Sequence, residues 1–106
     1  MKDFILQPLR IPSGWTVNYN HFSEYDPLTE SPEYLYELSE DMLQMENDRF
    51  LIDLGWYPEM DLNGRFILVL ADRTRERPFE HPIERFETRD KAEVTAKIEE
   101  WAKGDI

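Results

Sequence analysis

Carboxylates are the side chains this sequence holds in greatest chemical surplus: 23 of its 106 residues are Asp or Glu, against 12 Lys or Arg, two His and no Cys. Two carboxylates facing one bond can divide acid and base roles, the usual arrangement of glycoside hydrolysis. Glu40-Asp41 is such a pair by composition. It reads more simply as the solvated start of a helical turn, because nothing beside it promises the apolar burial that would raise one of two pKa values. The stretch Glu59-Met60-Asp61-Leu62-Asn63-Gly64 has oxygens at alternate positions and Gly sixth, like the first half of a calcium loop. The twelfth position then falls on Leu70, where a bidentate Glu is required, so a hairpin turn accounts for these residues better. His21 and His81 lack a nucleophile signature or zinc spacing. Without cysteine there is no disulfide frame, thiolate site or Cys nucleophile. No catalytic residue, metal or cofactor is expected.

The chain's distinctive feature is its charge pattern. Between Arg10 and Arg49 there is no Lys or Arg, while nine acids occur: Glu24, Asp26, Glu30, Glu33, Glu37, Glu40, Asp41, Glu46 and Asp48. Nine of the bases lie beyond Arg49. Such a one-signed region attracts cationic partners and repels nucleic acid and anionic membrane. Tyr25, Tyr34 and Tyr36 lie within it, and acids with interspersed tyrosines make a protein-binding surface in which rings anchor and carboxylates select. The candidate partner-binding residues are therefore Glu24, Tyr25, Asp26, Glu30, Glu33, Tyr34, Tyr36, Glu37, Glu40 and Asp41, and the expected partner is a basic protein. Tyr19, Trp56 and Tyr57 belong to the same aromatic set, with a core position the competing explanation, above all for Trp56. Arg73, Arg75 and Arg77 alternate, so an extended backbone would align them as a basic stripe, most simply a solvated edge.

These residues need elements to position them. A net charge of -11 with 41% apolar residues fits one folded domain, residues 1–106, with acidic loops. Residues 3–22 read as two strands joined at Ser13-Gly14, with Trp15, Val17, Tyr19 and His21 on one side of the second. Residues 23–33 have loop composition. From 33 to 46 either one helix, on Leu35, Leu38, Met42 and Met45, or a strand through Tyr34, Tyr36 and Leu38 followed by a helical turn over 40–45 fits, the second being preferred. Phe50, Ile52, Leu54 and Trp56 alternate toward a hairpin with Asn63-Gly64 at its turn, and Phe66 to Leu70 reads as a central strand covered on both faces. Ile83 to Phe86 alternate as a last strand. Val94, Ile98 and Trp101 then mark a C-terminal helix, with Thr88 as N-cap and with Glu93–Lys97 and Glu99–Lys103 as pairs. The fold class is α+β, an antiparallel sheet of about four to six strands with this helix on one face. The opening apolar run is too short for a signal peptide and no stretch is long enough to span a membrane, so the expected location is the cytoplasm.

The segments Gly14-Trp15-Thr16-Val17-Asn18-Tyr19-Asn20, Glu40-Asp41-Met42-Leu43-Gln44, Ile52-Asp53-Leu54-Gly55-Trp56-Tyr57-Pro58-Glu59 and Gly64-Arg65-Phe66 together resemble small bacterial proteins of the immunity type found with polymorphic toxin systems. The resemblance implies cytoplasmic neutralisation of a toxin by a non-enzymatic binding protein, with no catalytic residue. Two other classes fit the same residues. A regulatory or adaptor subunit would bind through a strand edge or the helix, insensitive to salt. A small hydrolase would need converging carboxylates in a cleft.

Overall fold

Strict alternation and turn chemistry build a five-stranded antiparallel meander. The computed structural model describes residues 4–104. Strands β1 (Thr16–Asn20), β2 (Leu43–Glu46), β3 (Phe50–Tyr57), β4 (Arg65–Asp72) and β5 (Glu84–Thr88) lie side by side in chain order, followed by helix α1 (Lys91–Ala102). This is the α+β architecture that the sequence predicts, a sheet with its C-terminal helix packed on one face.

That face is the core. Leu43 and Met45 of β2, Ile52, Leu54 and Trp56 of β3, and Phe66, Leu68 and Leu70 of β4 are buried together with Val94, Ile98 and Trp101 of α1. Each fully buried aliphatic or aromatic side chain contributes about 1.5–3 kcal/mol by leaving water. The Trp56 and Phe66 rings meet edge to face at 4.9 Å, and the Trp56 indole donates to the Asp61 carbonyl at 2.7 Å. The hairpin forms as read, its turn closed by Gly64 N–H donating to Asp61 O at 2.9 Å. Gly64 is required there by space, since a Cβ would lie 2.6 Å from the Trp56 indole nitrogen.

Several expectations are corrected. Residues 4–14 form no strand: one isolated bridge joins Leu6 to Ser23, because Pro8 and Pro12 lack the N–H groups a ladder needs. Residue 3 lies outside the described residues. Within β1, the register slips between Val17 and Tyr19, so Val17 and Tyr19 do not share a face. Trp15 points to the helix side, where its indole donates to Ala102 O at 3.0 Å. From 32 to 46 the order is the reverse of the preferred reading. A short 3-10 turn (Pro32–Glu37) comes first, capped by the Ser31 hydroxyl accepting from Glu33 N–H, and the strand follows at Leu43–Glu46. Glu40-Asp41 is consequently not a helix start. β4 is covered on one face only: Phe66, Leu68 and Leu70 are buried, whereas Ile67 and Val69 remain half-exposed. The N-cap of α1 is Asp90, whose carboxylate accepts from Glu93 N–H at 3.1 Å. Thr88 instead accepts from Asp90 N–H at 3.0 Å and donates to Glu93 at 2.7 Å. Lys97 pairs with Glu100 at 2.7 Å rather than with Glu93. Arg73, Arg75 and Arg77 lie in the turn after β4 and pair separately with Glu46, Asp72 and Glu80, so they form no stripe.

Candidate functional site

Because side chains alternate across a strand, a sheet with one packed face carries a second set on the other. Here pairing aligns Tyr19 with Gln44, Gln44 with Asp53, Asp53 with Val69, and Val69 with Arg85, one residue from each strand. The row crosses the whole helix-free face. The bulge in β1 is what brings Tyr19 into it.

Its polar half is a connected network. Asn18 Nδ2 donates to Gln44 Oε1 at 3.0 Å, Gln44 Nε2 donates to Asp53 Oδ2 at 3.1 Å, and the Tyr19 hydroxyl donates to the same oxygen at 3.3 Å. Burial raises the Asp53 carboxyl above its ordinary value; the two donated bonds oppose this and neighbouring Asp41 adds to it. Burial, then Asp53 and Asp41, push the Tyr19 hydroxyl well above the ordinary tyrosine range. Tyr57 is raised by burial, Asp53, Glu40 and Asp41. Both phenols therefore stay neutral around neutral pH. No Lys, Arg or His among the described residues forms an ion pair with Asp53.

The opposite half is basic and satisfied. Glu87 binds Arg85 at 2.8 Å and Arg65 at 3.3 Å, which lowers its carboxyl pKa, the Arg85 hydrogen bond contributing most. Between the halves lies a hollow of about 400 Å³ lined by Asp53, Tyr57, Ile67, Val69 and Arg85. Asp53 is its only lining carboxylate, so it lacks the converging pair that glycoside hydrolysis needs.

The rim on the β2 side is built by a bulge. Trp56 N–H donates to Ser39 O at 2.8 Å and Met42 N–H to Leu54 O at 3.0 Å, leaving Glu40 and Asp41 looped over Gly55. The Glu40 carbonyl accepts from the Tyr57 hydroxyl at 3.4 Å. A Cβ on Gly55 would fall 2.2 Å from that carbonyl oxygen, so only glycine admits the crossing.

The predicted partner-binding residues fall into separate places. Glu40 and Asp41 are exposed at this rim. Glu24 and Asp26 sit near the start of α1, where both act on the Lys91 ammonium, and Glu30 and Asp26 neighbour Tyr25. Tyr25 is 2% exposed and belongs to the core, its hydroxyl donating to Ser31 O at 3.1 Å. Tyr34 is half-buried, its ring 5.3 Å from Phe4, with Glu33 and Glu30 near its hydroxyl. Tyr36 is exposed and Glu37 half-buried. A second hollow of about 440 Å³ lies beside Lys91, Thr95 and Asp26, but its buried cation is already bound: Lys91 Nζ donates to Ser23 O at 2.5 Å and lies 4.1 Å from the Phe22 ring centre.

Sequence reasoning missed Asp53 and Gln44. Asp53 is the only charged residue in the Phe50–Tyr57 strand, and its place out of phase with Ile52, Leu54 and Trp56 was the available signal. Among the described residues no three His, Asp or Glu side chains converge on a metal site, and no helix is long and apolar enough to cross a membrane. Comparison with protein-family models, curated proteins and solved structures finds no match to this chain.

Proposed function

We propose that this chain is a non-enzymatic protein-binding domain that uses the helix-free face of its sheet to hold a basic protein. Its most specific form is an immunity protein that neutralises a cognate toxin in the cytoplasm. One observation carries the proposal: a half-buried carboxylate, Asp53, sits on an open face with hydrogen-bond donors but no counter-ion, beside the exposed acids Glu40 and Asp41 and the rings of Tyr19 and Tyr57. Aromatic rings beside uncompensated charge supply both anchoring area and long-range attraction. The net charge of -11 disfavours a nucleic-acid partner. Affinity capture from the native host's lysate tests the proposal, with the wild-type chain and an E40K/D41K variant compared at about 50 mM and 500 mM salt. The expected result is one basic protein that is lost at high salt and lost with the variant. A partner that survives both changes points instead to an adaptor using an edge or the helix, and overturns the assignment.

A further inference from the structure

We infer that the hollow on the helix-free face receives a single arginine or lysine side chain of the protein partner, its cationic head on Asp53 and its aliphatic stem across Val69 and Ile67. The inference rests on the proposed function and names what the face recognises.

The first support is the unspent acceptor. Both donors that fix Asp53, Gln44 Nε2 and the Tyr19 hydroxyl, converge on Oδ2. Oδ1 has no donor among the described residues. A carboxylate oriented through one oxygen, with the other unengaged at the edge of a hollow, is prepared for a charge-assisted bond from outside. The second is the lining. From Asp53 the hollow continues over Val69, its direct partner on β4, to Ile67, with the Tyr57 ring as a wall. An apolar floor ending in a carboxylate and flanked by an aromatic face matches a long side chain with a methylene stem and a cationic tip. The Glu40 carbonyl, held over Gly55 and met only by a 3.4 Å contact from Tyr57, adds acceptor capacity on the same side.

The third is the charge asymmetry. Arg85 also lines the hollow, but it occupies the far end of the row, two strands from Asp53, or about 10 Å at ordinary strand spacing. There it has Glu87 as counter-ion. A partner cation is thus drawn to the β2–β3 side and turned away from the β5 side, which fixes its direction across the face.

Titration of the ¹⁵N-labelled protein with N-acetyl-arginine methylamide and N-acetyl-lysine methylamide tests this, with the norleucine and glutamine analogues as uncharged controls. The cationic probes should give saturable shifts at the Gln44 side-chain amide and the backbone amides of Asp53, Tyr57 and Val69, and the controls should not. Asp53→Asn keeps an oxygen to accept from Gln44 and Tyr19, so the fold should persist while probe affinity falls at least tenfold. Arg85→Ala should leave affinity unchanged or raise it. No saturable shift, or shifts that Asp53→Asn does not weaken, overturn the inference. Shifts confined to residues 24–33 overturn it too, while leaving an acidic binding surface intact. The lysate capture described above, with its E40K/D41K variant, tests partner binding by the rim separately from this single-residue contact.

Discussion

Replacing Gly55 with Ala isolates the crossing that places Glu40 and Asp41 on the rim. The added methyl would lie 2.2 Å from the Glu40 carbonyl oxygen and 2.7 Å from Tyr57 Cε2. The ring can turn, but the carbonyl belongs to a backbone pinned on both sides by the Trp56-to-Ser39 and Met42-to-Leu54 hydrogen bonds. Relief therefore means losing those bonds, at about 1 kcal/mol each, in addition to about 1–3 kcal/mol for overpacking. The expected destabilisation is about 3–5 kcal/mol, read from urea unfolding with both transitions fitted at a common m value. At about 4–8 °C per kcal/mol, Tm should fall by at least about 12 °C. Gly14→Ala is the comparison. Gly14 has φ +104° and nothing within 4 Å of its Cβ position, so its cost is purely conformational, about 1–2 kcal/mol. If Gly55→Ala costs no more than Gly14→Ala, the crossing is not tight and the acidic rim is not held as described.

Two further outcomes are expected. Ile98→Asp puts a carboxylate at a fully buried position between α1 and the sheet, and a loss of more than about 4 kcal/mol should leave the variant largely unfolded by circular dichroism at 25 °C. Lys91 is 8% exposed and burial lowers its pKa to about 8, against the pull of Asp26 and Glu24. Above pH 8 the unfolded chain then binds more protons than the folded one, so this residue makes stability rise with pH, by about 1 kcal/mol from pH 8 to 9. The tyrosines with raised pKa values act in the opposite sense, but their effect grows only nearer pH 10. Lys91→Met should remove the rise when unfolding is compared at pH 8 and 9; an equal rise in the variant refutes the assignment.

How much was legible in the sequence depended on local pattern. β3, β4 and their hairpin could be read because β3 alternates without interruption, β4 is a continuous apolar run of strand length and the turn chemistry between them is strong. β2 has the same period over Leu43–Glu46, but Met42 and Met45 also fit a helical stripe and four residues are too few to decide. The apolar run in β4 does not say whether one or two layers will cover it; that depends on how many helices pack on the sheet, and the described residues form one α-helix. The candidate site was less legible still. Acids close in sequence separate because residues 21–42 leave β1 and return to the adjacent β2, with Glu24 acting on Lys91 of α1 and Glu40 on Tyr57 of β3. The row through Asp53 exists only after strand pairing and a one-residue bulge have set the register.

The chain-order arrangement of the strands also bears on how the molecule acquires its structure. Every strand pairs with its neighbour in sequence, so no crossover must close a long loop before any contact rewards it. The β3–β4 hairpin has the longest pairing, eight residues across a seven-residue connection, and can nucleate alone; β2 adds across only three residues and β5 across eleven. β1 comes at the end of the 21–42 connection and carries the largest loop-closure cost. Tyr19 therefore joins Asp53 late, and φ-values should be high along β3 and β4 and low in β1. Mutations in β1 should then speed unfolding while leaving the folding rate nearly untouched.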